Sequence, residues 1–467
     1  MTGPDEAGVG ARPLPPGTLG LPWLGETLAI ALSNHGFYKD RFRKHGPIFK
    51  TRLFGLNFVV MSGPKAFTKF VTDPAFERGG ADPISVRQIF VRSLALVDGD
   101  DHRTRKAAML KAFEREALDA YLPDIERVMR DRIARWEELG SFAWLPDLQL
   151  MAAELSGVLY TGDHSEARAR ELCQIIGWMR GAFTTLPLAI PGTPYGRAIR
   201  GRNRLIEIID EMIERHRHGS YDDVTVRMLA EADEPGSGIT PDHVRSDLLH
   251  LMFASQGGFF VPLCLILMTL GQRPDLMERA RREVMELAPE GPFTMDRLDE
   301  LEYLERLSRE LRRFYAMNSA TFFARVKEPV EVDGYRIPAG WGAIAAIHVT
   351  MRDPAVWNDP DVFDPDRFLP ERMANVRPNS YVPHGAGPRT GHKCPGEDIV
   401  AVAVKLMLAL LLRHYEWDVP SQNLDLDNEL FPLPKSGLKV RLRRHAPSNG
   451  ESAARSHDET TSLKSSP

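Results

Sequence analysis

The chain has 467 residues, with 59 Lys and Arg against 64 Asp and Glu and a formal net charge of -5. This balance leaves no basic excess of the kind that supports nucleic-acid binding, so we predict no nucleic-acid partner. Hydrophobic residues make up 43%, a globular composition that excludes general disorder. Three cysteines are too few for a disulfide framework and indicate a reducing compartment, which predicts a cytoplasmic location.

The beginning of the chain is rich in Pro and Gly, and we predict that residues 1–12 are flexible. They lack the basic start and apolar core of a signal peptide, so we expect neither a signal nor an N-terminal anchor. Residues 26–45 are predicted to form the first helix. Ile48–Arg52 and Phe58–Met61 alternate apolar and polar side chains, which predicts a β-hairpin.

The middle of the chain is predominantly helical, because apolar residues recur every three or four positions from 102 to 230. Thr240-Pro241-Asp242 is a strong helix start. The 25 residues 248–272 that follow contain no Asp, Glu, Lys or Arg, which is long enough to span a bilayer. Their polar side chains would be costly facing lipid, so a buried central helix and no membrane span are predicted.

The last third of the chain mixes short strands with one more long helix. Strands are predicted at Val330–Ile337 and Trp341–Ile347, a helix at Ile399–His414 and a terminal hairpin at Leu433–Leu442. Residues 445–467 are predicted to be a disordered tail. The whole predicts a mainly α fold with a minor β subdomain, as a single domain over residues 13–444.

The stretch Tyr381–Glu397 carries the clearest chemical signal, since it places Cys394 between a Gly-rich loop and a helix start. A thiol at a helix N-terminus, beside His392 and Lys393, is in surroundings that favour the thiolate. Glycines also let backbone amides approach a sulfur ligand, and a flat macrocycle could lie over such a loop. The alternative is a buried cysteine without special use. Zinc is disfavoured, because no second cysteine or paired histidine stands at ligand spacing.

Two charged segments precede this loop. Glu310 and Arg313 fall on one helix face, and Arg367 lies in the irregular stretch Phe363–Phe368. Taken singly, each would be a solvated ion pair. Together, and in this order before a Gly-rich cysteine loop, they resemble the cytochrome P-450 family of haem-thiolate enzymes over residues 13–443.

The resemblance implies the cytochrome P-450 fold, in which haem b lies between a long distal helix and the proximal cysteine loop. It makes Cys394 the metal ligand, a thiolate that pushes electron density toward the iron. It makes Glu310, Arg313 and Arg367 a buried structural triad, which would be expensive to break on one side.

The resemblance also implies which cations hold the haem propionates. His392, two residues before the ligand, matches one such position. The helix that binds the other propionate edge carries His102, Arg105 and Lys106. For His102, a solvated helix start is the equal alternative.

The cysteine loop departs from the pattern Phe-x-x-Gly-x-Arg-x-Cys of most relatives. Six residues separate Gly387 from Cys394, where three are usual, and His384 or another side chain takes the aromatic position. The longer loop is similar to that of bacterial fatty-acid peroxygenases. Those enzymes place an arginine on the distal helix, however, and residues 248–272 contain none.

The distal helix departs as well. Alignment from Pro274 puts Gly257 and Gly258 where most relatives have an acid–threonine pair that delivers protons for dioxygen cleavage, and residues 248–268 contain no Asp, Glu or Thr. The string Ala254–Gly257 is instead similar to prostacyclin synthase and the sterol 7-hydroxylase relatives. Ser255, Gln256 and water are the candidates to carry protons, as is a hydroxyl or carboxyl group of the substrate itself. The alternative is that the glycines only loosen the helix, while water does the proton work.

The substrate is predicted to be a hydrophobic small molecule, natural-product or lipid-like. The residues on segments that line pockets in this family, each of which could equally be plain core, are Phe90, Ala254, Phe259, Phe260, Met317, Phe322 and Phe323.

Three functions stay open. The first is monooxygenation with electrons from a ferredoxin or flavin reductase partner. The second is a peroxide-using peroxygenase or a redox-neutral haem isomerase, which the missing acid and threonine favour. The third is a non-catalytic haem- or ligand-binding protein, against which the intact cysteine loop argues.

Overall fold

The structure, a computed structural model, describes residues 12–445 apart from 80, 184, 186 and 428–430. Except for Arg12 and His445, the segments predicted to be flexible or disordered, 1–12 and 445–467, lie outside the described residues. The single domain over 13–444 stays a prediction.

Helices dominate the described chain, as the apolar spacing predicts. The α-helices are Thr27–Leu32, Asn34–His45, Pro64–Thr72, Ile84–Phe90, Gly99–Lys111, Arg115–Leu139, Trp144–Ser156, Glu166–Arg180, Pro194–His218, Val224–Asp233, Pro241–Gln272, Pro274–Leu287, Met295–Asp299, Glu302–Tyr315, Ile347–Thr350, Pro370–Met373 and Glu397–His414. A π-helical turn, Gly157–Thr161, and short 3-10 turns at Leu94–Leu96, Gly181–Phe183 and Pro365–Phe368 complete them. The single helix predicted over 26–45 is two helices, because Ser33 has the non-helical angles φ -155 and ψ 80.

The strands of the described chain form three small sheets. They are β1 Ile48–Leu53, β2 Leu56–Met61, β3 Phe76–Glu77, β4 Ser141–Ala143, β5 Ala324–Val326, β6 Val330–Val332, β7 Tyr335–Ile337, β8 Gly342–Ala345, β9 Tyr415–Asp418 and β10 Lys439–Arg444. One sheet has the order β1-β2-β8-β5-β3, another β4-β10-β9, and β6 pairs with β7.

The strand predictions are mostly confirmed. β1 and β2 form the predicted antiparallel hairpin, and β2 also runs parallel to β8. The hairpin predicted over 433–442 is wrong, because β10 pairs with the distant strands β4 and β9 rather than with the residues just before it. In the sheet that these pairings form, Val440 and Leu442 are buried.

The helix Pro241–Gln272, called the central helix below, runs through the main hydrophobic core. Thr240 caps it: the side chain accepts a hydrogen bond from the His243 N–H, and the His243 ring accepts one from the Thr240 N–H. It is long and apolar enough to cross a membrane, yet 78% of its most apolar window is buried inside the protein. The prediction of a buried core helix is therefore confirmed.

The helix Glu397–His414, called the proximal helix, packs against the central helix and against Glu302–Tyr315. Its residues Leu406 to Leu412 are buried nearly all round. Because Cys394 stands three residues before this helix, the core that fixes the helix also fixes the position of the thiol.

Candidate functional site

The cysteine loop, Tyr381–Gly396, holds Cys394 by its backbone. The Cys394 N–H donates to the carbonyl oxygen of His384 at 2.9 Å. Gly385 and Gly387 have φ of +88 and +86, a region that favours glycine over residues with a Cβ. The predicted placement of Cys394 between a Gly-rich loop and a helix start is confirmed.

The surroundings of the thiol differ from the expectation. Burial raises the pKa of Cys394, and the Gly396 N–H and the cations of Lys106 and Lys393 oppose this without outweighing it. The predicted influences of the helix start and of Lys393 do lower the pKa, but for the thiol without a metal ion desolvation of the charged sulfur is the larger effect. A coordinating metal ion, which deprotonates a thiol outright, would reverse the balance.

Three predicted residues form a basic cluster beside Cys394. The rings of His102 and His392 lie 4.0 Å apart between centroids, and Lys106 Nζ donates to the Lys393 carbonyl at 2.5 Å. Burial and the neighbouring cations lower the pKa of His102 to about 3, and burial lowers that of Lys106 to about 8.

An acid balances only part of this cluster. Asp98, which sequence reasoning missed, lies 3.1 Å from His392 Nε2. Carboxylates placed between these side chains would stabilise their protonated forms and so oppose the effect of burial on their pKa values. The cluster therefore suits a ligand with acidic groups, such as the haem propionates.

Arg105 lies on the same helix but serves another contact. Its guanidinium binds both carboxylate oxygens of Asp247 on the central helix, at 3.1 and 2.6 Å, and also the Arg92 carbonyl. Both side chains are almost fully buried. The Arg105 charge still contributes to the lowered pKa of His102, but its hydrogen bonds go to other groups, and its cofactor role stays a prediction. Sequence reasoning missed Asp247, although it is the last acid before the uncharged stretch.

The predicted triad comes together in the core. Arg313 donates to both carboxylate oxygens of Glu310, at 2.7 and 2.8 Å, and Arg367 Nε lies 3.6 Å from Glu310 Oε1. Glu310 and Arg313 are completely buried, and Arg367 is 8% exposed. An ion pair in such a place differs from a surface pair, because removing one partner leaves an uncompensated buried charge.

The two arginines of the triad also hold the irregular segment 351–362. Arg313 donates to the carbonyl oxygens of Met351 and Pro360, and Arg367 to those of Asn358 and Asp359. The Asp364 N–H donates to Glu310 at 2.9 Å. The triad therefore ties the segment before the cysteine loop to the helix Glu302–Tyr315.

One stripe of the central helix is accessible within the otherwise closed core. Between Leu248 and Leu270 the residues that are not buried are His250, Leu251, Ala254, Ser255 and Gly258. The spacing of four residues places His250, Ala254 and Gly258 on one helix face. An exposed alanine in the middle of a core helix marks a cleft, and we call these five residues the open stripe.

The paired glycines differ in their surroundings. A Cβ on Gly257 would lie 2.6 Å from Phe431 Cζ, whereas a Cβ on Gly258 would lie 3.4 Å from the Val400 side chain of the proximal helix. An aromatic ring from a distant loop therefore fills the space beside Gly257, whereas the space beside Gly258 is bounded by an aliphatic side chain at an ordinary contact distance.

The two candidate proton carriers point into the protein. Ser255 Oγ lies 3.0 Å from Ser156 Oγ and donates to the Met252 carbonyl. Gln256 is 2% exposed, lies outside the open stripe, and its Nε2 has no hydrogen-bond partner in the described part of the chain. Their catalytic roles stay predictions.

The predicted pocket aromatics divide into separate groups. Phe90 and Phe322 meet, with centroids 6.5 Å apart, around the ring of His250. Phe323 packs on Phe58 in the β1–β2 hairpin and is not brought to them. The remaining aliphatic and aromatic members of the predicted set lie buried or half-buried in the main core: Phe259, Phe260 and Met317.

These features fit a haem. The open stripe offers a cleft beside an apolar helix, Cys394 offers a sulfur ligand, and the basic cluster offers partners for two carboxylates. At Gly258 the stripe also adjoins Val400 in the helix that Cys394 precedes.

Comparison with known proteins agrees with this geometry. The family model described as Cytochrome P450 matches residues 15–442. The putative cytochrome P450 120 of Synechocystis sp. is 30% identical over 92% of this chain and 97% of its own length. Abscisic acid 8'-hydroxylase 4 of Arabidopsis thaliana is 26% identical over 93% of each chain.

Solved structures show the same fold. The retinoic acid-bound cyanobacterial CYP120A1 superposes with a TM-score of 0.86 at 30% identity, over 93% of this chain and 100% of its own. A variant of cytochrome P450 OleT in complex with arachidonic acid reaches 0.79 at 19% identity, over 93% and 99%, which is a likeness of fold alone. The ligand loop, the triad, the fold and these relatives together show that the chain belongs to the cytochrome P450 family, an enzyme family whose cofactor is haem.

Proposed function

We propose that this enzyme is a haem b-dependent monooxygenase that oxidises a hydrophobic small molecule bearing an oxygen function. The open stripe is the observation that carries the proposal. It gives the cleft an apolar wall of Leu251, Ala254 and Gly258, with one imidazole, His250, at its end. Clefts that are mostly apolar with few polar groups are typical of small-molecule sites.

The chain's own residues would hold the cofactor from three sides. Cys394 would bind the iron, His102, Lys106 and His392 would bind the propionates, and the open stripe would cover the opposite face. When bound, haem supplies the oxidising power needed to attack an unactivated C–H bond. The protein orients the substrate and keeps bulk water from the cleft.

The names of the relatives support the substrate class. CYP120A1 was solved with retinoic acid, and other relatives are named abscisic acid 8'-hydroxylases. A hydrophobic compound of natural-product or lipid-like character suits the aromatic groups around Phe90 and Phe322. A ferredoxin or flavin reductase partner and a cytoplasmic location belong to the same proposal.

Turnover of the purified holoenzyme under matched conditions tests the proposal. The comparison uses reductant with dioxygen, peroxide alone, and neither, on a panel of hydrophobic substrates. Product that requires both reductant and dioxygen supports monooxygenation. The absence of a thiolate-type band in the reduced carbon-monoxide spectrum would contradict haem-thiolate chemistry of any kind, while a normal band without turnover would favour a non-catalytic binding protein.

A second candidate function is oxidation driven by peroxide, and one observation favours it. Phe431 fills the space beside Gly257, where most family members carry the acid of the proton relay. Peroxide already carries electrons and protons that dioxygen would still have to gain. Oxidation with peroxide therefore needs less proton delivery by the protein. Product formed with peroxide alone supports this candidate, and product formed without any oxidant supports a redox-neutral isomerase.

A further inference from the structure

His250 lies at one end of the open stripe, one helical turn before Ala254. At a rise of about 1.5 Å per residue, its Cα lies roughly 12 Å along the helix axis from that of Gly258. It is therefore too far along the helix to share a contact with Gly258. It is well placed to meet the far end of a ligand that lies along the stripe.

Aromatic rings from two other elements surround the imidazole. The Phe90 centroid, from the helix Ile84–Phe90, lies 4.6 Å from that of His250, and the Phe322 centroid, from an irregular segment, lies 5.9 Å away. Two separate parts of the chain thus place aromatic rings against one polar side chain of the central helix.

Among the described residues, the imidazole of His250 has no hydrogen-bond partner. In the part of the chain that the structure describes, the contacts of the His250 ring are aromatic and none is a hydrogen bond. Buried polar groups are normally hydrogen-bonded. Because this ring is accessible from the cleft, its nitrogens can form that hydrogen bond with a bound ligand. A histidine that served only as core aromatic would be covered, whereas His250 is half-buried.

The charge state of the imidazole limits which chemical groups can form a hydrogen bond with it. Burial, with a smaller effect of the Lys106 cation, lowers the pKa of His250 to about 4. The ring is therefore neutral near neutral pH, with one N–H donor and one acceptor nitrogen. Such a ring matches a hydroxyl or carbonyl group, whereas a carboxylate is best matched by a protonated ring.

We infer that His250 is the polar anchor of the substrate site, where it forms a hydrogen bond with an uncharged hydroxyl or carbonyl oxygen at the end of an apolar substrate. This inference rests on the proposed function, since it assigns the substrate class of that same site. His250 is a specificity-determining residue that positions the apolar remainder along the stripe toward Gly258.

Equilibrium dialysis of the holoenzyme with dodecanol, dodecane and lauric acid tests the inference. We expect dodecanol to bind more tightly than dodecane, and His250→Phe to reduce that ratio about fivefold, the size of one net hydrogen bond. His250→Gln, which keeps a donor and an acceptor, should restore most of the ratio. The position at which dodecanol is oxidised should also become less selective in His250→Phe.

Leu251→Ala, on the same stripe, is the matched control, because it removes apolar contact and should weaken both ligands alike. An unchanged ratio in His250→Phe, or a His250-dependent preference confined to lauric acid, would overturn the inference. Failure of dodecanol to bind the wild-type enzyme would overturn it too, while the carbon-monoxide band would still report separately on the proposed function.

Discussion

Phe431 stands against the central helix at Gly257, so closely that a Cβ on Gly257 would lie 2.6 Å from its Cζ atom. Phe431 belongs to the irregular stretch before β10, far from the central helix in the sequence. The contact explains why the position takes glycine in spite of the cost of roughly 1 kcal/mol for glycine in a helix interior. The same contact makes Gly257 less tolerant of a larger side chain than the neighbouring Gly258.

Gly257→Asp should destabilise the protein by about 1–3 kcal/mol, because the new side chain must displace Phe431. Urea denaturation measures the loss. Phe431→Ala in the same chain should recover part of it, since the two substitutions share one contact. Equal losses with and without Phe431→Ala would show that the ring does not cause the strain.

Gly258→Thr should be tolerated, because its Cβ meets Val400 at an ordinary distance of 3.4 Å. The hydroxyl would then stand on the open stripe beside the cleft. If the proton relay lacks only this group, the fraction of consumed NADPH that appears as product should rise. The ratio of product to NADPH, measured side by side with wild type, checks this, and an unchanged ratio argues against a missing relay.

Cys394→Ser should abolish the thiolate-type carbon-monoxide band and the turnover, because a hydroxyl is a far poorer iron ligand than a thiolate. Cys173→Ser is the control, since that half-buried thiol lies on the helix Glu166–Arg180, apart from the cysteine loop. A normal band in Cys394→Ser would mean that another residue binds the iron.

Glu310→Gln should cost about 3–5 kcal/mol, because it leaves Arg313 and Arg367 as uncompensated buried cations. Haem content should fall with it, since these arginines hold the segment 351–362. Glu302→Gln, at an exposed position of the same helix, should change the free energy of unfolding by less than about 0.5 kcal/mol. Similar effects of the two substitutions would refute the triad's structural role.

Asp82 predicts a pH effect on stability. The residue is 3% exposed, neither carboxylate oxygen has a partner in hydrogen-bonding geometry among the described residues, and burial, opposed by the Arg78 and Arg87 cations and the Phe323 backbone, raises its pKa to about 7. Between the ordinary value of 3.8 and about 7, the folded state holds a proton that the unfolded state has lost. Stability therefore falls as pH rises through this interval.

Asp82→Asn should remove this slope, so that its stability relative to wild type improves by about 3 kcal/mol from about pH 5 to about pH 8. Urea denaturation at the two pH values measures the difference. Asp40→Asn, whose side chain is 65% exposed, is the control and should show no such gain. Parallel pH profiles for Asp82→Asn and wild type would contradict the prediction.

Much of the fold and of the candidate site could be predicted from local sequence patterns. The central helix follows from its cap at Thr240 and an uncharged run of 25 residues, and Glu310 with Arg313 follows from their spacing on one helix face. The position of Cys394 follows from the glycines before it and the helix start after it.

Contacts between distant parts of the chain could not be predicted in this way. The contacts of Arg105 with Asp247 and of Gly257 with Phe431 join residues that are far apart in the sequence. No local sequence pattern therefore indicates them. The balance of effects on the Cys394 thiol also depends on burial, which only the folded chain reveals. The sequence-based expectation for this thiol left out its desolvation for that reason.

The pairing of β4 with β10 affects folding during synthesis on the ribosome, because β4 is made long before β10. Ser141 pairs with Arg441, so roughly 300 residues of translation separate the two partners, about 15–60 seconds at the usual rate of synthesis. During that interval the edge of β4 is unpaired and can form hydrogen bonds with a non-native strand. Slowing translation late in the message should therefore lower the yield of properly assembled protein, and chaperones that shield nascent strands should raise it.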